Sequence, residues 1–400
     1  MRIIVLNADH PRFLAWLYRK QAGLEQAGYA AQMAARNASL FGLADFYSRN
    51  FTALGHPALE VHVNNRFMQS AWAREHGMAV QAAGPAHEAR QKMLPGWLQR
   101  AAAPFKPVLR PLVRKVGLSP RLDPASEEIL LAQIEAFKPD AVLNQDVFYV
   151  DVALIRRIRQ IGNPLIIGQV GIEPSRGIDW TAYDLMLSQL PRLVQAFRAA
   201  GVRAEVAHLA FEPTLLDALP AAAPQDVDVS FVGSVSEDHR QRIALLEAVA
   251  RRYDLKMWGN IPRSLPASSP LHRCLQGEVW GAEMYQALRR SRITLNSHID
   301  IAGREAGNMR LFEATGVGAF LLTDFKENLH TLFEPGRDVA VWRSIDDCLG
   351  TIERFLGDAP AREHIARAGQ ARTLSQHTYG RRAGEMLALI SELERRGPEG

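Results

Sequence analysis

The sequence predicts an α/β protein of two doubly wound, Rossmann-like domains facing each other across a cleft. Three observations predict it. Short apolar runs alternate with longer amphipathic ones along the chain, as parallel sheets covered on both faces require. The alternation breaks at an Ala- and Pro-rich stretch, 213–226, and then restarts. And 400 residues are too many for one ordinary core, while they fit two domains of about 200 residues each.

In the first half the expected strands are 3–6, 59–63, 141–143, 165–168, 185–188 and 205–209. In the second half they are 227–232, 255–258, 293–296, 319–323 and 339–342. Each is a short β-branched or apolar run bounded by turn formers. Helical periodicity fills the gaps, as at 240–253, 282–290 and 361–371. The expected division is therefore 1–212, an N-terminal acceptor-side domain, and 213–378, a C-terminal donor-binding domain. A last helix within 379–400 is long enough to pack back on the N-terminal domain. The Pro- and Ala-rich segment of about 84–122 reads as an insertion.

Composition narrows the class. Hydrophobic residues at 47% and charged residues at 22% describe a soluble globular chain. No apolar run approaches the roughly 20 residues of a membrane span. MRIIVLNADH reads as a first strand and not as a signal peptide. Cys274 and Cys348 have no metal or redox spacing, which suggests a reducing cytoplasm. The net charge of +4 is local, because 90–121 carries eight basic residues and no acidic one. A nucleic-acid partner is therefore not expected. The basic stretch, with Trp97 and Phe105 interleaved, suits an anionic membrane surface, a polyanionic glycan acceptor or a solvated arm. No D-x-D at a strand end and no paired-histidine spacing suggests a metal, and no cofactor is expected.

The chemistry concentrates in SRITLNSHIDIAGREAGNMRLFEATGVGAFLLTD, 291–324. A strand ends near Asn296, a loop follows, and a helix begins about Asn308, a good N-cap next to Gly307. Such a helix start presents unpaired N–H groups and a positive dipole end, where a diphosphate could dock. Glu305 sits in the loop ahead of that helix and Glu313 a turn and a half inside it. Eight helical positions rise about 12 Å, near the reach of a nucleotide sugar. Arg310, three before Glu313, could pair with phosphate or with Glu313 itself. The bland alternative is a solvated helix face.

A second constellation is VDVSFVGSVSEDHRQR, 227–242: a strand, a Gly233-Ser234 turn, and a helix opened by Ser236. Gly233 lets the backbone approach a ligand and Arg240 could reach back to phosphate, although an ordinary βα turn explains the same pattern. His10, beside Asp9 at the tip of the first strand, could be a general base or an acceptor ligand. A capping Asp and a solvated His before Pro11 explain the pair more simply. His298 and Asp300 could meet donor sugar, and Glu173, Arg176 and Asp179 could line the acceptor side. Phe13, Trp16 and Tyr18 read as core packing.

In SFVGS, GEVWGAEMYQALRRSRITLN, GNMRLFEATGVGAFLLTD and LFEPGRDVAVW the chain resembles the GT-B glycosyltransferases. The likeness is to the spore-maturation-protein-like group of glycosyl transferases group 1. It covers about 227–379 well and the N-terminal half, through YDLMLSQ and AHLAFEP, more loosely. The resemblance implies sugar transfer from a nucleoside diphosphate sugar to an acceptor hydroxyl, retaining and metal-independent, in cell-surface glycan synthesis. It implies an E-x7-E pair in which Glu305 meets the donor sugar and Glu313 the ribose. It implies base contacts around Trp258, Gly259, Asn260 and Val279, and phosphate contacts from Gly233, Ser234 and Asn308. It also implies a loop from Thr323 and Asp324 onward that closes over the donor. The chain departs from the pattern in NADHPRF, which stands where a Gly-rich turn is usual, and in having only Arg240, Arg310 and Lys326 for an Arg and Lys pair. A sugar-nucleotide epimerase and a non-catalytic glycan- or nucleotide-binding protein remain the alternatives.

Overall fold

The computed structural model describes residues 1–79, 121–171, 178–221, 224–237, 239–299 and 302–396. The basic stretch from Arg90 onward, apart from Arg121, lies outside the described residues, as do Glu173, Arg176 and Asp300.

The first sheet has six strands in the order β2-β1-β3-β4-β5-β6. They are β1 (Ile3–Asn7), β2 (Ala58–His62), β3 (Ala141–Asn144), β4 (Leu165–Gln169), β5 (Leu185–Ser188) and β6 (Ala204–Val206). The second has five strands in the order β11-β10-β9-β7-β8. They are β7 (Val227–Val232), β8 (Leu255–Trp258), β9 (Ser291–Leu295), β10 (Leu321–Asp324) and β11 (Ala340–Trp342). Both sheets are parallel. Apolar residues cover both faces of the central strands, because helices flank each sheet: β1 is buried along its whole length. The expected strand 205–209 shrinks to three residues, and the others agree within two residues at each end.

By contacts the chain forms two compact units. One gathers Met1–Arg36, Gly55–Leu187 and Phe197–Ala204; the other gathers Asn37–Leu54, Ser188–Ala196 and Glu205–Gly400. A cut in sequence near 213 thus differs from the grouping in space, since an early segment joins the C-terminal unit. The last helix, Tyr379–Arg396, packs within that unit on the helix Phe46–Ala53. Tyr379 meets Phe46 and Tyr47 there, with ring centroids 5.3 and 5.1 Å apart.

The strand order fixes where a ligand can sit. From β7 the chain passes to β8 on one side and returns to β9 on the other. The direction of winding therefore reverses between β7 and β9, which opens a crevice beyond their C-terminal ends. Gly233 follows β7 and Asn296 follows β9, so both stand at that crevice.

Candidate active site

A pocket of about 250 Å³ occupies the switch point, within the second unit. Gly233, Arg242, Asn296, Asn308, Arg310 and Glu313 line it, with Phe41 and Gly42 from the early segment.

Gly233 is held by the neighbouring strand. Its N–H donates to Trp258 O at 2.9 Å, and Val235 N–H donates to Asn260 O at 2.9 Å. Gly259 is required here: its φ is +147°, and a Cβ would stand 2.1 Å from Gly233 O. Trp258, Gly259 and Asn260 thus act on the pocket wall through their backbone. Val279 is half-buried, two residues before Gly281, whose Cβ would meet Ser39 O at 1.7 Å. This close approach brings in the early segment, and Phe41 contacts Trp280 edge-on at 4.7 Å.

The second helix of this region begins at Arg240, not at Ser236. Buried Val235, bonded to Asn260, keeps 233–237 out of the helix, so Ser236 is not the helix N-cap, and its N–H donates to His239 Nδ1 at 3.1 Å. Two consequences correct the sequence reading. Arg240, in the first helical position, is exposed and outside the pocket lining. Arg242, two residues on, is buried in the wall. It donates from Nη1 to Ser234 O at 3.0 Å and from Nη2 to Ser297 O, and lies over the Phe231 ring. A buried cation whose neighbours are carbonyl oxygens is suited to an anionic ligand.

Asn308 holds the N-cap position of the helix Met309–Gly316 with extended backbone, but its side chain does not cap. It donates instead to Asn296 Oδ1 at 2.9 Å, and Asn296 donates in return to Asn308 Oδ1 at 3.3 Å and to Thr323 Oγ1 at 3.0 Å. The start of the helix therefore faces the pocket without a side-chain acceptor. Arg310 and Glu313 lie one turn inside, paired at 2.8 Å and largely buried. Nη1 makes that pairing and Nη2 donates to Met284 Sδ at 3.4 Å, while Nε has no hydrogen-bond acceptor, so this guanidinium keeps one donor for a ligand. Burial, joined by the charge of Glu313, raises the Tyr285 hydroxyl well above its ordinary pKa.

Glu305 departs from Glu313. It is in a loop, and it accepts from Arg192 N–H at 2.8 Å with the Arg192 guanidinium 3.6 Å away. It thereby caps the helix Pro191–Ala199, and it is not part of the pocket lining. Asp324 and Thr323, at the end of β10, serve the loop rather than the cavity. Asp324 Oδ1 accepts from His298 N–H at 3.0 Å and lies 2.7 Å from His298 Nδ1, while Lys326 stands 3.3 Å from Oδ2. Burial alone would raise the Asp324 carboxyl; the hydrogen bonds from His298, with the charge of Lys326, hold it below its ordinary pKa.

In the first unit His10 caps the helix Pro11–Lys20, accepting from Arg12 N–H at 3.2 Å, and is exposed. Asp9 is no cap: it is buried against Arg36 at 2.6 Å and His62 at 3.2 Å, which hold its pKa low against the opposing effect of burial. Asp179 caps the turn 180–182 and pairs with Arg156. Phe13 is core, whereas Trp16 and Tyr18 are only partly covered. Among the described residues no cluster of three or more His, Cys, Asp or Glu could hold a metal ion, and no helix is long and apolar enough to cross a membrane.

Sequence reasoning missed Arg242, Asn296 and the Phe41–Gly42 segment as pocket walls. Asn296 was legible as a polar residue ending an apolar strand. Phe41 carried no sequence signal, since its place depends on the contact of Ser39 with Gly281.

Two parallel sheets, the second with a pocket at its switch point, are found together in known structures of the GT-B fold. Sucrose-phosphate synthase from Thermosynechococcus elongatus superposes with a TM-score of 0.57 at 12% identity, over 99% of this chain and 100% of that one. A glycosyltransferase from Rickettsia africae ESF-5 gives 0.57 at 9%, over 99% of both chains. HepE from Anabaena, solved in complex with UDP-glucose, gives 0.56 at 12%, over 98% of this chain and 100% of that one. At these identities the likeness speaks for the fold. Residues 240–388 match the family model described as glycosyl transferase-like, and no curated protein matches the chain. The fold is thus that of GT-B, and the likeness to a glycosyltransferase family lies in residues 240–388.

Proposed function

We propose that the pocket binds the diphosphate of a nucleoside diphosphate sugar and that the enzyme transfers the sugar to an acceptor hydroxyl. Transfer proceeds with retention and without a metal, in the synthesis of a cell-surface glycan or its lipid-linked precursor. One observation carries this reading. Two largely buried guanidinium groups, Arg242 and Arg310, share a pocket with an uncapped helix start at a topological switch point. Together they offer fixed positive charge where a departing diphosphate gains negative charge, without the reorganisation that water would need. Glu313, in the same pocket, is suited to accept from ribose hydroxyls. HepE, which has this fold, was solved with UDP-glucose, so uridine donors are the first to test. The eight basic residues of 90–121 suit, by composition, an anionic acceptor or peripheral contact with an anionic membrane from the cytoplasmic side.

Thermal shift against UDP-, GDP-, dTDP- and CMP-sugars tests the donor class, since a bound ligand stabilises the folded state. No shift with any of them would count against the reading. Product of inverted anomeric configuration removes retention, and activity lost to a chelator and regained with a divalent ion removes metal independence. Donor turnover with no acceptor present favours the epimerase alternative.

A further inference from the structure

We infer that His298 is a positioning residue of the donor pocket, acting through its neutral ring on the backbone of Gly307; this rests on the donor reading above. His298 is buried, and its side chain is 1% exposed. Both ring nitrogens are engaged. Nδ1 lies 2.7 Å from Asp324 Oδ1, and Nε2 lies 3.3 Å from Gly307 N. A backbone N–H can only donate, so Nε2 must carry the lone pair and Nδ1 the proton, which it gives to Asp324. The ring thus links the end of β10 to the residue immediately before Asn308.

The rest of the loop is fastened to the same stretch. Lys326 donates to Gly303 O at 2.6 Å, Glu327 N–H donates to Arg304 O at 2.9 Å, and Asn328 exchanges hydrogen bonds with Ala306 at 2.6 and 3.2 Å. Gly307 itself is pressed on Gln189, whose Cγ a Cβ would meet at 3.1 Å. His298 is the member of this set that reaches the Gly307 peptide, and that peptide sets the direction in which Asn308 and the helix Met309–Gly316 enter the pocket. Neither ring nitrogen is left for a sugar hydroxyl, so His298 shapes the site without touching the donor.

The two nitrogens can be separated by substitution. His298→Asn keeps a donor near Asp324 but offers no acceptor at Gly307, while His298→Gln places an amide oxygen near the position of Nε2. With UDP and UDP-glucose as probes, His298→Asn is expected to raise the dissociation constant and KM for the donor ~10-fold, the worth of about one hydrogen bond. Its kcat should stay within about twofold, and His298→Gln should recover most of the loss. Unchanged donor affinity in His298→Asn, or equal losses in both variants that follow their melting temperatures, overturns the assignment. A donor-independent reading accompanies these: ¹⁵N shifts of the His298 ring at neutral pH should report a protonated Nδ1 and an unprotonated Nε2. The reverse tautomer overturns the Gly307 contact. If the wild type binds neither probe, the uridine donor falls, and the ring tautomer still decides whether His298 holds Gly307.

Discussion

Asn308 occupies the N-cap of the helix Met309–Gly316 yet gives its side chain to Asn296, the two amides exchanging hydrogen bonds of 2.9 and 3.3 Å. An asparagine there would ordinarily accept from the second or third helical N–H. The pairing diverts it and leaves the helix start to a ligand. Asn296→Ala removes the diversion and lets Asn308 turn back as a cap. Donor affinity is expected to fall ~10-fold, about the worth of one competing cap. Adding Asn308→Gly, which cannot cap with a side chain, should restore most of it. Calorimetric titration with UDP on the single and double variants checks this.

The two arginines of the helix Arg240–Arg252 should behave differently. Arg240→Ala changes an exposed side chain and should leave donor binding and stability within experimental scatter. Arg242→Ala removes a buried cation bonded to Ser234 and Ser297 carbonyls. It should cost about 2 kcal/mol of stability from the carbonyls left unpaired, and it should weaken donor binding as well. Equal effects from the two variants in urea melts and titrations would contradict the placement of Arg242 in the wall.

Arg310 and Glu313 form a largely buried pair, with side chains 15% and 8% exposed. Arg310→Met leaves the Glu313 carboxylate without its partner, at a cost of about 3 kcal/mol. Arg310→Met with Glu313→Gln removes the stranded charge and should regain part of that stability while activity stays low. Denaturant midpoints read the first effect, and transfer assays read the second.

Gly259→Ala places a methyl where Gly233 O stands 2.1 Å away, on a backbone with φ of +147°. The strand tips must separate, breaking the Gly233-to-Trp258 hydrogen bond that shapes the pocket wall. Loss of donor-induced thermal stabilisation, together with a lower melting temperature, is the expected outcome.

Acid should weaken the fold through His377. Its Nε2–H donates to Leu332 O at 2.8 Å, and Nδ1 accepts from Arg382 at 3.0 Å. Burial, assisted by Arg382 and Arg372 and opposed by the Leu332 carbonyl, lowers its pKa from 6.5 to about 4. Between those values the unfolded chain binds a proton that the folded one refuses, so stability falls as pH drops through that window. The slope is at most about 1.4 kcal/mol per pH unit from this group. His208, also lowered, chiefly by burial, acts in the same direction. Urea unfolding between pH 7 and 4 measures the slope, and His377→Gln should flatten it.

The sequence by itself determined the two parallel sheets, because apolar runs such as IIVLN and LIIGQ can be satisfied only by cover on both faces. It also marked Gly233, Asn308, Arg310 and Glu313, since a strand, a tight turn and a helix start are local events with local signals. Tertiary structure decided the rest. Eight residues apart, Glu305 and Glu313 read as a pair, but Glu305 finds the open end of the helix Pro191–Ala199, which only folding brings near. Arg242 displaced Arg240 because the hydrogen bond of Val235 with Asn260 delays the helix and so chooses which side chain turns inward. Phe41 reached the pocket because Ser39 meets Gly281, 242 positions away. Which surface a side chain faces depends on partners far along the chain, and local pattern does not record them.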